Sequence, residues 1–321
     1  MRYLVRRFGF LLIALWGALT LNFFIPRLMP GNPAEAILGQ FHGHINPNSL
    51  KAIEVALGIG KHQNLFVSYL EYLRNTMTGN FGVSFSQRIA VSTVISRALP
   101  WTLGLVGVST VLGFVFGTVL GAVAAWRRGG WLDNVLPPSF IVISAFPYFW
   151  VGLLAVWLFS FTLNWLPYEN GFNQIGSPQL GDILIHAILP SFTIVITSIG
   201  GWILTMRNNM ITVVAEDYVK MARAKGLKPR RILWQYAGRN ALLPNLTGFA
   251  MSLGFVISGA ILVEDVFNYP GVGNLLLQAV NAEDYPLMQT LFLLITVAVL
   301  IAIFLSDIAT AILDPRTRGG N

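Results

Sequence analysis

The sequence predicts an all-α membrane protein of six membrane-spanning helices with both termini in the cytoplasm. Three observations carry this prediction. Only 11% of the 321 residues are charged while 55% are hydrophobic, against roughly a quarter charged in a soluble globular chain. Six stretches of about twenty residues or more lack Asp, Glu, Lys and Arg, the length needed to cross a bilayer. Basic residues concentrate in alternate connections, which orients the chain.

The first stretch is Phe8 to Pro26, preceded by Arg2, Arg6 and Arg7. It is long for the apolar region of a signal peptide, and no small-x-small cleavage site follows it, so a retained span is expected. The second is Ala98 to Trp126, in which Gly113, Gly117 and Gly121 have the small-xxx-small spacing that lets helices approach closely. The third, Asn134 to Tyr168, is too long for one straight helix. Pro138 and Pro147 predict a helix start and a kink, with the surplus as loop. The fourth to sixth are Ile183 to Met206, Asn240 to Val263 and Tyr285 to Ser306.

Orientation follows from the connections. Arg127 and Arg128 follow span two. Arg207, Lys220, Arg223, Lys225, Lys228, Arg230, Arg231 and Arg239 follow span four, and Arg316 and Arg318 close the chain. The loops after spans three and five instead hold Glu169 and Asp182, and Glu264, Asp265, Glu283 and Asp284, with no base. These loops therefore lie outside, and Asp307 is expected at the inner interface. Long segments cross regardless of charge, so the bases between Arg27 and Arg97 do not weigh against this. The chain reads as one domain, 1–321, with an extracytoplasmic insertion at 30–97 and a cytoplasmic loop at 207–240. The insertion predicts helices over Asn48 to Leu57 and Leu65 to Met77.

Several chemistries are excluded or disfavoured. Cysteine is absent, which removes disulfides, thiol catalysis and Cys-zinc sites. The net charge of +7 is accounted for by the inner loops, so no nucleic acid is implied. Gly58-Ile59-Gly60-Lys61-His62 lacks the leading glycine and the Ser or Thr of a phosphate loop, and Gly271-Val272-Gly273 fails the dinucleotide pattern. Of His42, His44, His62 and His186, the first three read as solvated loop and the last as an interfacial imidazole, so no metal is expected. Asn22 is the strongly polar side chain well inside span one. It is either a pathway residue or an interhelical hydrogen-bond donor.

The most informative segment is the cytoplasmic loop. Glu216 and Asp217 sit where a helix start favours acids, and Lys225 where its end favours bases. Gly226 suits the terminating turn, and Pro229 the first turn of a second, basic helix. Tyr218, Met221, Ala222 and Lys225 share a face at helical spacing. A short amphipathic helix, a glycine turn and a second helix form an element that docks in a partner's groove and transmits rigid-body motion.

At this loop the chain resembles the permease subunits of binding-protein-dependent ABC importers, in the dipeptide, oligopeptide and nickel group with a large first outer loop. Glu216-Asp217-Tyr218-Val219, Ala222-Arg223-Ala224-Lys225-Gly226-Leu227 and Arg239-Asn240-Ala241-Leu242-Leu243-Pro244 match that group's coupling motif. Further strings match in order: Pro30-Gly31-Asn32-Pro33-Ala34, Thr78-Gly79-Asn80-Phe81-Gly82-Val83-Ser84, Leu99-Pro100-Trp101-Thr102-Leu103, Phe146-Pro147-Tyr148-Phe149, Glu264-Asp265-Val266-Phe267-Asn268-Tyr269-Pro270-Gly271-Val272-Gly273 and Asp314-Pro315-Arg316.

The resemblance implies the type I importer permease fold and a place in the cell membrane of a prokaryote, surrounded by lipid. It implies a second homologous permease subunit, two cytoplasmic ABC ATPase subunits and an extracytoplasmic solute-binding protein. No cofactor belongs to this chain and it is not an enzyme; ATP and magnesium belong to the ATPases. Glu216, Asp217, Tyr218, Met221, Ala222, Arg223, Lys225 and Gly226 are then the ATPase-coupling residues, and the solute is a di- or oligopeptide, with oligosaccharide or nickel as same-family alternatives. Departures fall at Gly60-Lys61-His62-Gln63-Asn64, where the family often has Asp-Pro, at Asn32 and at Asn245. An ion-coupled carrier working alone is the reading from a different class. Such carriers place ionisable groups or broken helices at mid-membrane; the six cores here carry no Asp, Glu, Lys or Arg, although Pro147 interrupts one. A membrane enzyme lacks any residue set to run it.

Overall fold

The structure, a computed structural model, describes residues 2–28, 64–172, 179–257 and 261–313. The expected helix over 48–57, the strings at 30–34 and 314–316, the departures at Asn32 and 60–63, and His42, His44 and His62 lie outside the described residues.

Helices dominate. α1 (Arg2–Leu28) is followed by α2 (Leu65–Met77), whose bounds match the sequence expectation. Asn64 caps α2, its side chain accepting from the Phe66 N–H at 3.1 Å. α3 (Val91–Trp126) leads to α4 (Trp131–Ser144) and α5 (Tyr148–Ala155), which runs on as a π-helical stretch to Thr162. α6 (Leu180–Val214) precedes the short α7 (Asp217–Ala224) and the single turn α8 (Pro229–Arg231). A π-helical stretch, Ile232–Gly238, joins α8 to α9 (Arg239–Gly254). α10 (Ile261–Val266), α11 (Val272–Asn281) and α12 (Tyr285–Leu313) complete the described order.

α1, α3, α6 and α12 are each long and apolar enough to cross a membrane, and α4 with α5 form a fifth candidate bent by 98°. The structure departs from the sequence expectation in four places along the spans. The helix start expected at Pro138 falls at Trp131, with Pro137 and Pro138 inside α4. Pro147 does more than kink span three: it removes a helical donor and imposes extended backbone (ψ 128°), so the helix breaks. Span four continues past Met206 to Val214 and carries Arg207 within the helix. The stretch expected as span five is divided, since α9 ends at Gly254 and α10 begins a separate helix at Ile261.

The central packing is α3 against α6. The spacing Gly113, Gly117 and Gly121 supports that contact. A methyl group at Gly117 would stand 3.0 Å from the Ile199 carbonyl, and one at Gly121 would run into the Ile203 carbonyl. α1 lies beside α12. Asn22 donates to the Gln289 carbonyl at 2.8 Å, Gln289 donates back to the Asn22 carbonyl at 3.0 Å, and Arg7 pairs with Asp307 at 3.2 Å. The start of the first helix therefore meets the end of the last. Asn22 also donates to Tyr72 on α2 at 3.1 Å. Its donors are thus spent on clamping three helices.

Two acids expected in outer loops are instead buried. Asp284 heads α12, accepting from the Leu287 N–H at 3.3 Å, while its other oxygen takes both hydroxyls of Ser84 and Ser86 and the Ser86 N–H. Glu264 accepts from Thr102 on α3 at 2.7 Å and from the N–H groups of Gly273 and Asn274 at 2.7 and 3.3 Å. Thr102 in turn accepts from the Val272 N–H at 2.7 Å. A buried carboxylate is tolerated when its lone pairs are filled in this way. Together these bonds fix the start of α11 to α3.

Candidate coupling site

α7 occupies the place of the predicted docking helix. It begins after Glu216, whose extended backbone (ψ 149°) turns the chain out of α6. Glu216 makes no side-chain cap, but Asp217 provides the acid of the first turn. Asp217 accepts from Lys220 at 2.9 Å, and this neighbouring charge holds its carboxyl below the usual range. Both side chains are open to solvent, so the pair adds little stability.

The helix ends in a Schellman turn. Gly226 has φ +72°, its N–H donates to the Arg223 carbonyl at 2.9 Å, and the Leu227 N–H donates to the Ala222 carbonyl at 3.3 Å. Glycine is favoured here because an L side chain is strained against its own backbone at positive φ. No atom lies within 4 Å of the position a Cβ would take, so the constraint is conformational and not steric crowding from elsewhere.

Two faces of α7 have different jobs. Val219 and Ala222 are buried, in a cluster with Met206 and Met210 of α6, Ala122 and Ala125 of α3, and Ile232 and Leu233 after α8. Tyr218, Met221 and Lys225 point outward, Met221 being 59% exposed. The stripe expected from spacing is therefore split: Ala222 anchors the helix, and the other three are presented. Two polar ties support the anchoring. Asn240 on α9 donates to the Tyr218 hydroxyl at 2.7 Å, and the Arg223 guanidinium lies 5.4 Å above the Trp126 ring at the end of α3.

The second arm is one continuous helical run from Pro229 through the π-helical stretch into α9. Pro229 takes the first helical position, where a missing N–H costs nothing. The elbow is thus welded to three long helices: α6 leads into it, α9 leads out, and α3 lies beneath. Spacing alone missed Val219, Asn240 and Trp126. Val219 was within reach, since Val219 and Ala222 are three apart and Leu227 lies just past the turn.

The sequence has counterparts in known proteins. Residues 117–319 match the family described as binding-protein-dependent transport system inner membrane component, and residues 1–106 match that system's N-terminal membrane component family. The chain belongs to this family. Its members are transport components of the inner membrane. The chain is similar to the di/tripeptide transport system permease protein DppB of Pseudomonas aeruginosa, at 32% identity over 98% of both chains. It is equally similar to the oligopeptide transport system permease protein AppB of Bacillus subtilis, at 32% over 98% of both. It is 31% identical to the glutathione transport system permease protein GsiC of Escherichia coli K12, over 99% of both. All α7 residues fall within the first matched region.

Proposed function

We propose that this chain is the permease subunit of an ATP-driven importer of di- or oligopeptides, forming half of the solute path. The observation that carries the reading is likeness over 98% of both chains to a relative named as a di/tripeptide permease. The exposed face of α7 supports the energetic side. Residues 216–226 dock in a cleft of a cytoplasmic ATPase subunit, two such subunits serve two homologous permeases, and an extracytoplasmic binding protein delivers the peptide. ATP and magnesium reside on the ATPases. Six spans put both termini in the cytoplasm and Glu264 and Asp284 near the outer side. ATP-driven closure of the ATPases draws the two elbows together, and α6, α9 and α3 transmit that motion to the path.

Uptake by the assembled complex in proteoliposomes tests this reading. Labelled dipeptide is taken up only with ATP and the binding protein, and excess unlabelled di- or tripeptide competes. Uptake by this chain alone without ATP, or competition by oligosaccharide or nickel but not by peptide, would overturn it.

A further inference from the structure

The break between α4 and α5 is where the fold departs furthest from a simple span. The two helices bend by 98° at residues 145–147. The carbonyls of Ala145 and Phe146 receive no backbone hydrogen bond among the described residues. Opposite the break runs α6, and Thr197 falls halfway along its 35 residues. The break is therefore at mid-depth of the long helices. In hydrocarbon, free backbone groups cost several kcal/mol each, so irregular backbone survives at that depth only where protein or water covers it.

A cavity of about 560 Å³ lies at this point, lined by Ser144, Phe146, Pro147 and Tyr148 at the break and by Thr197 and Ser198 of α6. The serine and threonine hydroxyls are spent as donors: Ser144 to the Thr197 carbonyl at 3.0 Å, Thr197 to the Thr193 carbonyl at 2.8 Å, Ser198 to the Val195 carbonyl at 3.3 Å. What they retain is lone pairs. Among the described residues no carboxylate or amine lines the cavity, and the Tyr148 phenol is its one ionisable group. Gly200 makes the geometry possible, because a side chain there would meet the Phe140 carbonyl at 2.9 Å and wedge α4 from α6.

We propose that this cavity is part of the solute path and that its acceptors receive the ammonium and N–H donors of a peptide in transit. The proposal rests on the peptide-permease reading above and names a contact site within it. Lipid facing the break would leave the carbonyls of Ala145 and Phe146 unsatisfied. A water-filled path satisfies them, and a peptide replaces that water donor for donor.

The chain contains no cysteine, so single-cysteine variants report cleanly. Ser198→Cys, Ser144→Cys and Phe146→Cys are made in the assembled importer in membrane vesicles and treated with an anionic, membrane-impermeant methanethiosulfonate. Val115→Cys, exposed on α3 and outside the cavity lining, serves as the reference. The cavity cysteines are expected to react at least tenfold faster than Val115→Cys. Saturating dipeptide with binding protein is expected to slow them severalfold, and modification to abolish uptake. Variants that transport peptide yet react no faster than Val115→Cys would overturn the proposal, as would reaction that peptide leaves unchanged. If one variant fails to assemble, the other two decide. Uptake by the cysteine-free parent is measured in the same vesicles. Its absence indicts the peptide-permease reading, whereas its presence with inert cavity cysteines indicts this inference alone.

Discussion

Asp133 and Arg207 form a two-point ion pair between the first turn of α4 and the second half of α6, with Arg207 Nη2 donating to Asp133 Oδ2 at 3.2 Å and Nε to Oδ1. The carboxylate also accepts from the Gly129 N–H at 3.0 Å. The Asp133 side chain is almost wholly covered and Arg207 only partly open. Removing one partner leaves the other charge stranded. Asp133→Ala is expected to cost about 2 kcal/mol, given the partial exposure of Arg207. Asp133→Ala with Arg207→Ala should cost less than the sum of the single changes. Thermal unfolding in detergent measures both, and strict additivity would show that the pair carries no coupling.

The turn at Gly226 gives a graded test. A non-glycine residue at positive φ costs roughly 1–2 kcal/mol, more if β-branched and less for Asn. Gly226→Asn should therefore retain most peptide uptake. Gly226→Val should lower uptake severalfold while the ATPases still turn over, because the elbow no longer holds its angle. Equal uptake in both variants would remove the turn from the coupling account.

Glu264 is expected to be a keystone of the α3–α11 contact. Glu264→Ala leaves the Thr102 hydroxyl and the Gly273 and Asn274 N–H groups without their acceptor. Each such loss costs about 1–3 kcal/mol. Glu264→Gln keeps the shape and one acceptor oxygen, so its loss should be smaller. Melting temperatures ranked wild type, Gln, Ala are the expected order, and an Ala variant as stable as wild type would contradict it.

The glycine seam makes a further prediction. Gly121→Leu drives a side chain into the Ile203 backbone, and backbone cannot step aside as a flexible side chain can. Folded yield should fall sharply. A Cβ at Gly104 on the same helix meets nothing within 4 Å, so Gly104→Leu should be tolerated far better. Comparable yields would show that α3 and α6 pack elsewhere.

Much of this fold was legible because its signals are local. The bounds of α2 follow from its aromatic-rich run, and the Gly226 turn from a glycine after a basic last turn. The approach of α3 and α6 follows from a four-residue glycine spacing. What escaped was long-range. Glu264 and Asp284 read as loop acids because nothing nearby in sequence announces Thr102 or Ser84 as donors. The same holds for Asp133 with Arg207. The 98° bend at Pro147 is larger than a proline in the sequence by itself reveals. At the coupling site, spacing placed the outward residues Tyr218, Met221 and Lys225. It put Ala222 among them, although the methionines of α6 bury it.

The central claim is that the outward face of α7 meets the ATPase. Benzophenone attached to Met221→Cys in the cysteine-free chain tests it directly. Photolysis of the assembled complex is expected to cross-link the ATPase subunit, whereas the same label at Phe116→Cys on the exposed mid-helix face of α3 captures none. No ATPase adduct at Met221 in a complex that still imports peptide, or attachment of the label by an impermeant reagent from outside the cell, would contradict the account.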